Sequence, residues 1–390
     1  MLAADYAHLA EKVADVGIRR VRGNLLADDS YFDDVPLGDS WAWDDEPFYY
    51  AAVTSALTVA PDTDYDAGTV IIEAGPSTQG APPTVTMTPR TSVVRIVNTA
   101  TTGAAGSADT LSIQRDHGSN VVRITGSVPV DGDTIAEWST VEDPTAYAAD
   151  VFRRALAAEG VRVQGIMREG TTPDDARTVA SHASMPLGEL LVPFMKLSNN
   201  MHAEALVKTM GAETAGDGSW DAGLAVIDEF AATEGVDDDD LRLVDGSGLS
   251  RKDLATGDAI TDLLIGVRDE SWFDTWYASL PVAGVPERLV GGTLRNRMRD
   301  TAAAGNVRGK TGSLTGVTAL SGYVSDADGR ELVFSMISNN YLDSPRSVED
   351  ALAVTLASWT AGGDAPRFAP RTLRSRHVPD GVECSWVKAC

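Results

Sequence analysis

Three strand-like runs, residues 307–311, 318–324 and 331–337, follow one another with nothing but turns between them. Asp328-Gly329 makes the second turn, a dipeptide suited to a tight hairpin. Connections this short join antiparallel neighbours, because a parallel pair needs a crossover of a dozen or more residues. A helix then opens at Ser344-Pro345, a good N-cap and N1 pair, and stops at Gly362-Gly363. The 3.6-residue period places Val348, Leu352, Leu356 and Trp359 on its inward face. This half of the chain therefore reads as a meander with helices against it, not as a βαβ repeat.

Helical periodicity fills the stretch before the meander. Helices are expected at 147–158, 186–197, 201–212, 221–233, 256–268 and 271–279, with Leu187, Leu190, Leu191 and Phe194 on the buried face of the second. Earlier still, from about 68 to 141, the pattern shifts to strands such as Thr69-Val70-Ile71-Ile72 and Val121-Val122-Arg123-Ile124, broken by Gly, Pro, Asp and Ser. Nothing in this β-rich stretch clusters chemistry-bearing residues, so it reads as an accessory domain. The first residues form a helix, with Leu2, Tyr6, Leu9 and Val13 at helical spacing and Gly17 as its stop, followed by a strand over 18–26. A connection rich in Trp, Tyr, Asp and Pro passes through Trp41, Trp43 and Tyr49.

The 390 residues carry a formal charge of -25 and a pI near 4.4, which a phosphate backbone would find repulsive. A nucleic-acid partner is not expected, since only a concentrated basic patch would offset that repulsion and none is evident along the body of the chain. Solubility and adaptation to high salt both account for the acidity. No apolar run approaches the length of a membrane helix, and no signal peptide opens the chain. The five histidines, His8, His117, His182, His202 and His377, show no metal spacing, and His202-Ala203-Glu204 lacks the Cys-x-x-Cys that a zinc deaminase would add. No metal or other cofactor is expected. The acidic run 237–240 reads as a solvated loop. Cys384 and Cys390 close the chain, and a disulfide and two free thiols are both compatible with that spacing.

Three short motifs carry chemistry. Lys310-Thr311-Gly312 stands at the end of the first meander strand. There an ammonium and a hydroxyl can hold a carboxylate, and a glycine lets a ligand approach the backbone. Ser198-Asn199-Asn200 lies between two expected helices, where Ser198 would also serve as N-cap to the second. A second Ser-x-Asn, Ser338-Asn339-Asn340, follows the last strand and lacks the helical flanks. The loop 245–251, Asp-Gly-Ser-Gly-Leu-Ser-Arg, does not have the spacing of a nucleophile elbow, so Ser247 is read as a turn residue.

With their flanks these motifs resemble the class C low-molecular-mass penicillin-binding proteins, peptidase family S13, and in particular secreted actinomycete D-alanyl-D-alanine carboxypeptidases and endopeptidases. The likeness runs through Arg20-Val21-Arg22-Gly23-Asn24-Leu25-Leu26, the stretch 194–204, the 245–251 loop, Gly291-Gly292-Thr293-Leu294, residues 310–324 and the ending 383–390. It implies an α/β penicillin-recognising domain of the β-lactamase/transpeptidase type, split by inserted β-rich accessory domains. The expected division is 1–180 accessory, 181–363 catalytic and 364–390 tail. The resemblance further implies that Ser198 relays a proton to the departing D-alanine and that Asn200 holds the substrate amide. Lys310 and Thr311 would bind the terminal carboxylate, Gly312 would admit the ligand, and the Ser313 N–H would form half of an oxyanion hole. Peptidoglycan stem peptides and β-lactams are the implied partners, and an extracytoplasmic site of action follows.

One departure stands out. The family's nucleophile belongs to a Ser-x-x-Lys that precedes the region matched here, and the one such tetrad present is Ser385-Trp386-Val387-Lys388, in the tail and out of order. The expectation is therefore an N-terminally truncated record lacking the nucleophile segment. Such a chain would be inactive alone, would expose apolar surface and would fold poorly. A non-catalytic remnant that binds peptidoglycan or penicillin is the alternative. A compact β-lactamase is disfavoured by the long stretch before Ser198.

Overall fold

The computed structural model describes residues 1–362; Cys384, Cys390 and the Ser385 tetrad lie outside the described residues. In chain order come α1 (Ala3–Asp15), β1 (Arg20–Val21), β2 (Leu25–Ala27), β3 (Thr69–Gly75), β4 (Thr84–Thr88), β5 (Arg95–Asn98), β6 (Thr101–Gly103), β7 (Ser112–Arg115), β8 (Val121–Thr125), β9 (Ser127–Pro129) and β10 (Ile135–Thr140). Next are α2 (Pro144–Ala158), β11 (Arg162–Val163), β12 (Met167–Glu169), α3 (Leu187–Leu197), α4 (Asn200–Ala215), α5 (Trp220–Thr233), β13 (Leu241–Arg242) and β14 (Leu254–Ala255). The chain then makes α6 (Gly257–Gly266), α7 (Phe273–Ser279), α8 (Arg288–Gly291), β15 (Arg308–Leu314), β16 (Val317–Ser325), β17 (Glu331–Asn339) and α9 (Arg346–Ser358). These fall into two compact units. One holds Met1–Ser184, Asn200–Leu224 and Asp245–Ser250; the other holds Met185–Asn199, Ala225–Val244 and Arg251 onward.

The first unit is built on alternation. In β3, Val70, Ile72 and Ala74 point to one side and meet Val122 and Ile124 of β8 and Tyr147, Ala148 and Val151 of α2. β3 pairs antiparallel with β10 and β4, while β8 takes β5 parallel and β7 antiparallel. α2 starts three residues before the expected 147: Pro144 occupies the first turn and the Asp143 carboxylate accepts the Ala146 N–H at 2.7 Å. The expected strand over 18–26 is two short pieces, β1 and β2, paired parallel with β11 and β12 after α2. In α1 the buried residues are Tyr6, Ala10 and Ala14, a stripe turned by one position from the expected one.

A buried ion-pair network ties this unit together at the end of β7. Arg115 donates to Thr140 Oγ1 (2.9 Å), Ser119 O (2.8 Å), Glu142 Oε2 (2.9 Å), Glu46 O (3.0 Å) and Glu46 Oε1 (2.7 Å). Two of the five bonds hold the Glu46 loop to β7, and the others reach the turn before β8, the last residue of β10 and the segment just after it.

In the second unit the meander is one antiparallel sheet in the order β15-β16-β17. Both of its faces are covered. Leu320, Val324 and Phe334 face α9 through Ala353 and Ala357, whereas Tyr323, of opposite parity in β16, packs with Met195 of α3, Leu264 of α6 and the rings of Phe273, Trp276 and Tyr277. The Tyr323 hydroxyl donates to Leu264 O at 2.6 Å, which satisfies the polar tip of a fully buried ring. α9 differs from expectation. Val348 and Leu352 are 48% and 43% exposed, and the residues it buries are Glu349, Ala353 and Ala357. Small side chains let the helix lie close on the sheet, and Arg297 pairs with Glu349 at 2.9 Å to make that carboxylate tolerable inside.

Candidate active site

Register explains how the site assembles. Residues directly opposite in adjacent strands share a face, and Lys310 stands opposite Ser321 while Thr311 stands opposite Leu320. Lys310 therefore leaves the sheet on the Tyr323 side, where α3 packs, and Thr311 leaves on the other. α3 ends at Ser198, and there the two elements meet: Lys310 Nζ donates to Ser198 Oγ at 2.5 Å and to Thr311 O at 2.9 Å. On the opposite face Thr311 Oγ1 donates to Thr293 Oγ1 at 2.9 Å. That second contact was not foreseen from sequence, although Thr293 stands in a stretch that carried the resemblance.

Ser198 closes α3 instead of opening α4. Its backbone is left-handed, with φ 58° and ψ 52°, a region that costs an L-residue about 1–2 kcal/mol. α4 begins two residues later at Asn200, whose side-chain amide donates to Tyr50 O at 2.9 Å within the first unit. The backbone break at 198–199 is what frees the Ser198 hydroxyl from the helix and directs it at a lysine.

β15 also presents an open edge. The Gly309 N–H points away from β16 and donates to Pro281 O at 3.0 Å. Because strand N–H groups alternate in direction, those of Thr311 and Ser313 point to the same side. Gly312 faces only the Ala319 Cβ, 3.5 Å from where a Cβ of its own would stand. The strand thus offers a row of backbone donors beside an ammonium.

Among the described residues no carboxylate pairs with Lys310. Burial alone lowers its pKa from the ordinary 10.5 to about 8, so it is charged at neutral pH but weakly held in that state. Lys196, two residues before Ser198, is buried and also pushed down to about 8, first by burial and then by Arg308; its ammonium donates to Leu280 O. Gly292 must be glycine here, since a Cβ would stand 2.5 Å from Lys196 O and its φ is +53°.

Within the first unit, the glycine-rich loop 245–250 is held by carboxylates. Asp245 accepts the N–H groups of Gly248 (2.8 Å) and Ser250 (2.7 Å) and the indole of Trp41 (2.8 Å). Buried Glu204 accepts Gly246 N–H (2.8 Å), Ser247 N–H (2.9 Å) and Trp220 Nε1 (2.7 Å). Burial, then the Asp245 charge, raises the Glu204 pKa. Ser247 is a turn residue, as its spacing indicated. The His-x-Glu pair serves packing: burial pushes His202 down to about 4 and keeps it neutral, and Glu204 is engaged by three donors. Replacing Glu204 by alanine should strand those donors and cost about 2–4 kcal/mol, seen as a lowered thermal midpoint; an unchanged midpoint would remove this role.

Comparison with known proteins bears on this geometry. The sequence profile of the D-Ala-D-Ala carboxypeptidase 3 (S13) family matches residues 1–359. The D-alanyl-D-alanine carboxypeptidase of Actinomadura sp. (strain R39) is 47% identical over 393 residues, covering 100% of this chain and 72% of its own length. Carboxypeptidase DacB of Mycolicibacterium smegmatis is 34% identical over 245 residues, 60% of this chain and 52% of that protein. Among solved structures, penicillin binding protein 4 (dacB) from Haemophilus influenzae superposes with a TM-score of 0.77 at 22% identity, over 92% of this chain and 80% of that one. This likeness confirms the mixed α/β penicillin-binding fold with additional β-rich parts. No helix among the described residues is long and apolar enough to cross a membrane. The chain belongs to the S13 family of D-alanyl-D-alanine carboxypeptidases, which are serine-type hydrolases.

Proposed function

We propose that this chain supplies the carboxylate-recognition and proton-relay half of a DD-carboxypeptidase acting on peptidoglycan stem peptides outside the cytoplasm. The observation that carries the reading is the 2.5 Å contact between Lys310 Nζ and Ser198 Oγ beside the open edge of β15. A peptide ending in D-Ala-D-Ala would lie along that edge with its terminal carboxylate on Lys310 and Thr311. The Ser313 N–H would face the scissile carbonyl oxygen, and Asn200 would hold the substrate amide. In acylation a serine hydroxyl attacks that carbonyl, the C–N bond breaks, and Ser198 passes a proton to the leaving D-alanine nitrogen. Water then hydrolyses the ester. Penicillin sensitivity follows from the same scheme. A related structure of Haemophilus influenzae penicillin binding protein 4 was solved complexed with a β-lactam.

Residues 181–363 would form the catalytic part and 1–180 the accessory part. Residues 1–362 contain no serine placed three before a lysine, so the Ser-x-x-Lys role has no occupant among the described residues. These 390 residues by themselves should bind without acylating. In the decisive experiment the purified chain is incubated with a fluorescent penicillin, denatured and examined for covalent label. No label is expected. Label at Ser385, or at any other serine, would overturn the proposed division of labour. In parallel, an acyl-D-Ala-D-Ala peptide should bind and its C-terminal amide should not; equal binding of the two would remove the carboxylate reading.

A further inference from the structure

A second charged site stands in the first unit. Four arginines, Arg19, Arg20, Arg22 and Arg162, together with Gly160, line an open cavity of about 540 Å³. The backbone puts them there. β1 and β11 run parallel with Arg20 opposite Arg162 and Val21 opposite Val163. The ladder continues on either side, through Arg162 N–H to Arg19 O at 3.1 Å and Gln164 N–H to Val21 O at 2.9 Å. Val21 and Val163 pack inward with Ala10, Ala14, Leu156 and Val161, so period-2 alternation turns Arg20, Arg22 and Arg162 outward together.

The arrangement is costly for a free surface. Like charges opposite one another across a strand pair destabilise it. The chain has 57 acidic residues against 32 basic ones, so neutralising partners are plentiful. Nevertheless none of the four arginines makes an ion pair with an acidic residue among the described residues. Arg19 is engaged by main-chain oxygens, those of Ala14 (2.5 Å) and Ile18 (3.2 Å), at the end of α1. The nearest acids in sequence, Asp15 and Glu159, are exposed on the two helix ends and bind none of them. Helix C-termini favour cations, which accounts for Arg19 but not for three further guanidinium groups that no acid among the described residues pairs with.

We propose that this cavity binds an oligoanion bearing two or more phosphate groups. Guanidinium forks match tetrahedral phosphate oxygens two at a time, and several converging on one concavity suit closely spaced phosphates better than a single carboxylate. The acidic balance of the chain repels polyanions in general, so one docks where arginines are gathered, as they are here. Two sources share this chemistry, a soluble oligophosphate and a phosphodiester-linked polymer.

The test is calorimetric titration of the full chain with inorganic tripolyphosphate at low salt. It is repeated for Arg20→Gln/Arg162→Gln and for a charge-matched control, Arg90→Gln/Arg95→Gln. Saturable binding is expected for the wild type and the control, at least tenfold weaker in the cavity variant. Affinity should fall severalfold between about 50 and 300 mM sodium chloride. Thermal melts of both variants check that each is folded. No saturable binding, equal loss in the two variants, or citrate binding as tightly as tripolyphosphate would each overturn the proposal. A glycerol phosphate oligomer that displaces tripolyphosphate assigns the site to a polymer; one that does not assigns it to a soluble oligophosphate.

Discussion

Lys310→Met is expected to weaken binding of a D-Ala-D-Ala-terminated peptide by roughly 30- to 150-fold while leaving the fold intact. A hydrogen bond to a charged group contributes about 1.5–3 kcal/mol, and the lysine's position beside Ser198 and Thr311 puts it near the top of that range. Methionine preserves the stem and its packing, so loss of affinity without loss of melting temperature reports on the charge. A pH series adds a second readout. Burial lowers the Lys310 pKa to about 8, so the ammonium that a carboxylate needs is present below that value and lost above it. Affinity should therefore be flat from pH 6 to about 7.5 and fall towards tenfold per unit beyond about 9. Lys196 titrates in the same region, and the variant separates the two. If the break persists in Lys310→Met, the titrating group is not Lys310. An affinity that rises with pH would reverse the sign of the argument.

Arg115→Met should be the most destabilising single change in the first unit. Its five hydrogen bonds reach Thr140, Ser119, Glu142 and Glu46, and removing it leaves Glu46 and Glu142 without their cation. Breaking a buried pair from one side costs about 3–5 kcal/mol; Arg115 is buried but Glu46 is 17% and Glu142 39% exposed, so the low end applies and lowers the midpoint of a unit this size by roughly 6–12 °C. Arg123→Met is the control. Arg123 pairs with Asp116 at 2.8 Å but lies in solvent, where screening leaves such a pair little net effect on stability. Equal effects from the two variants in calorimetry would show that burial of the Arg115 network is not what stabilises the unit.

These features differ in how far the sequence reveals them. Helices from 147 to 279 and the three meander strands were readable because periodicity is local; β15 starts one residue later and ends three later than expected, β16 gains one residue at each end and β17 two at its C-terminal end. The inward face of α9 was read correctly only at Leu356, which packs against the core. A pattern weighted by side-chain size selects Val348 and Leu352, but close packing on β16 is made by Ala353 and Ala357. Lys310 and Ser198 were found as motifs with flanks. The position of the Ser198 loop between two helices already suggests that its hydroxyl projects toward the Lys310 strand; the direct contact was not legible, because it depends on which face of β15 Lys310 takes and on the register with Ser321. Thr293 and Tyr50, which hold Thr311 and Asn200, were missed for the same reason: a backbone carbonyl or a lone hydroxyl far away in sequence leaves no local pattern. The arginine cavity joins residues about 140 positions apart through a two-residue parallel ladder, too short for periodicity to register.

The left-handed backbone at Ser198 sets evolution and engineering against each other. A glycine there would relieve the torsional cost and would also delete the hydroxyl that meets Lys310. A library screened on thermal endurance alone should drift to glycine or asparagine at this position, and one screened on hydrolysis should hold serine fixed. Retention of serine under the first kind of screen would mean that the hydroxyl stabilises the protein as much as the turn strains it.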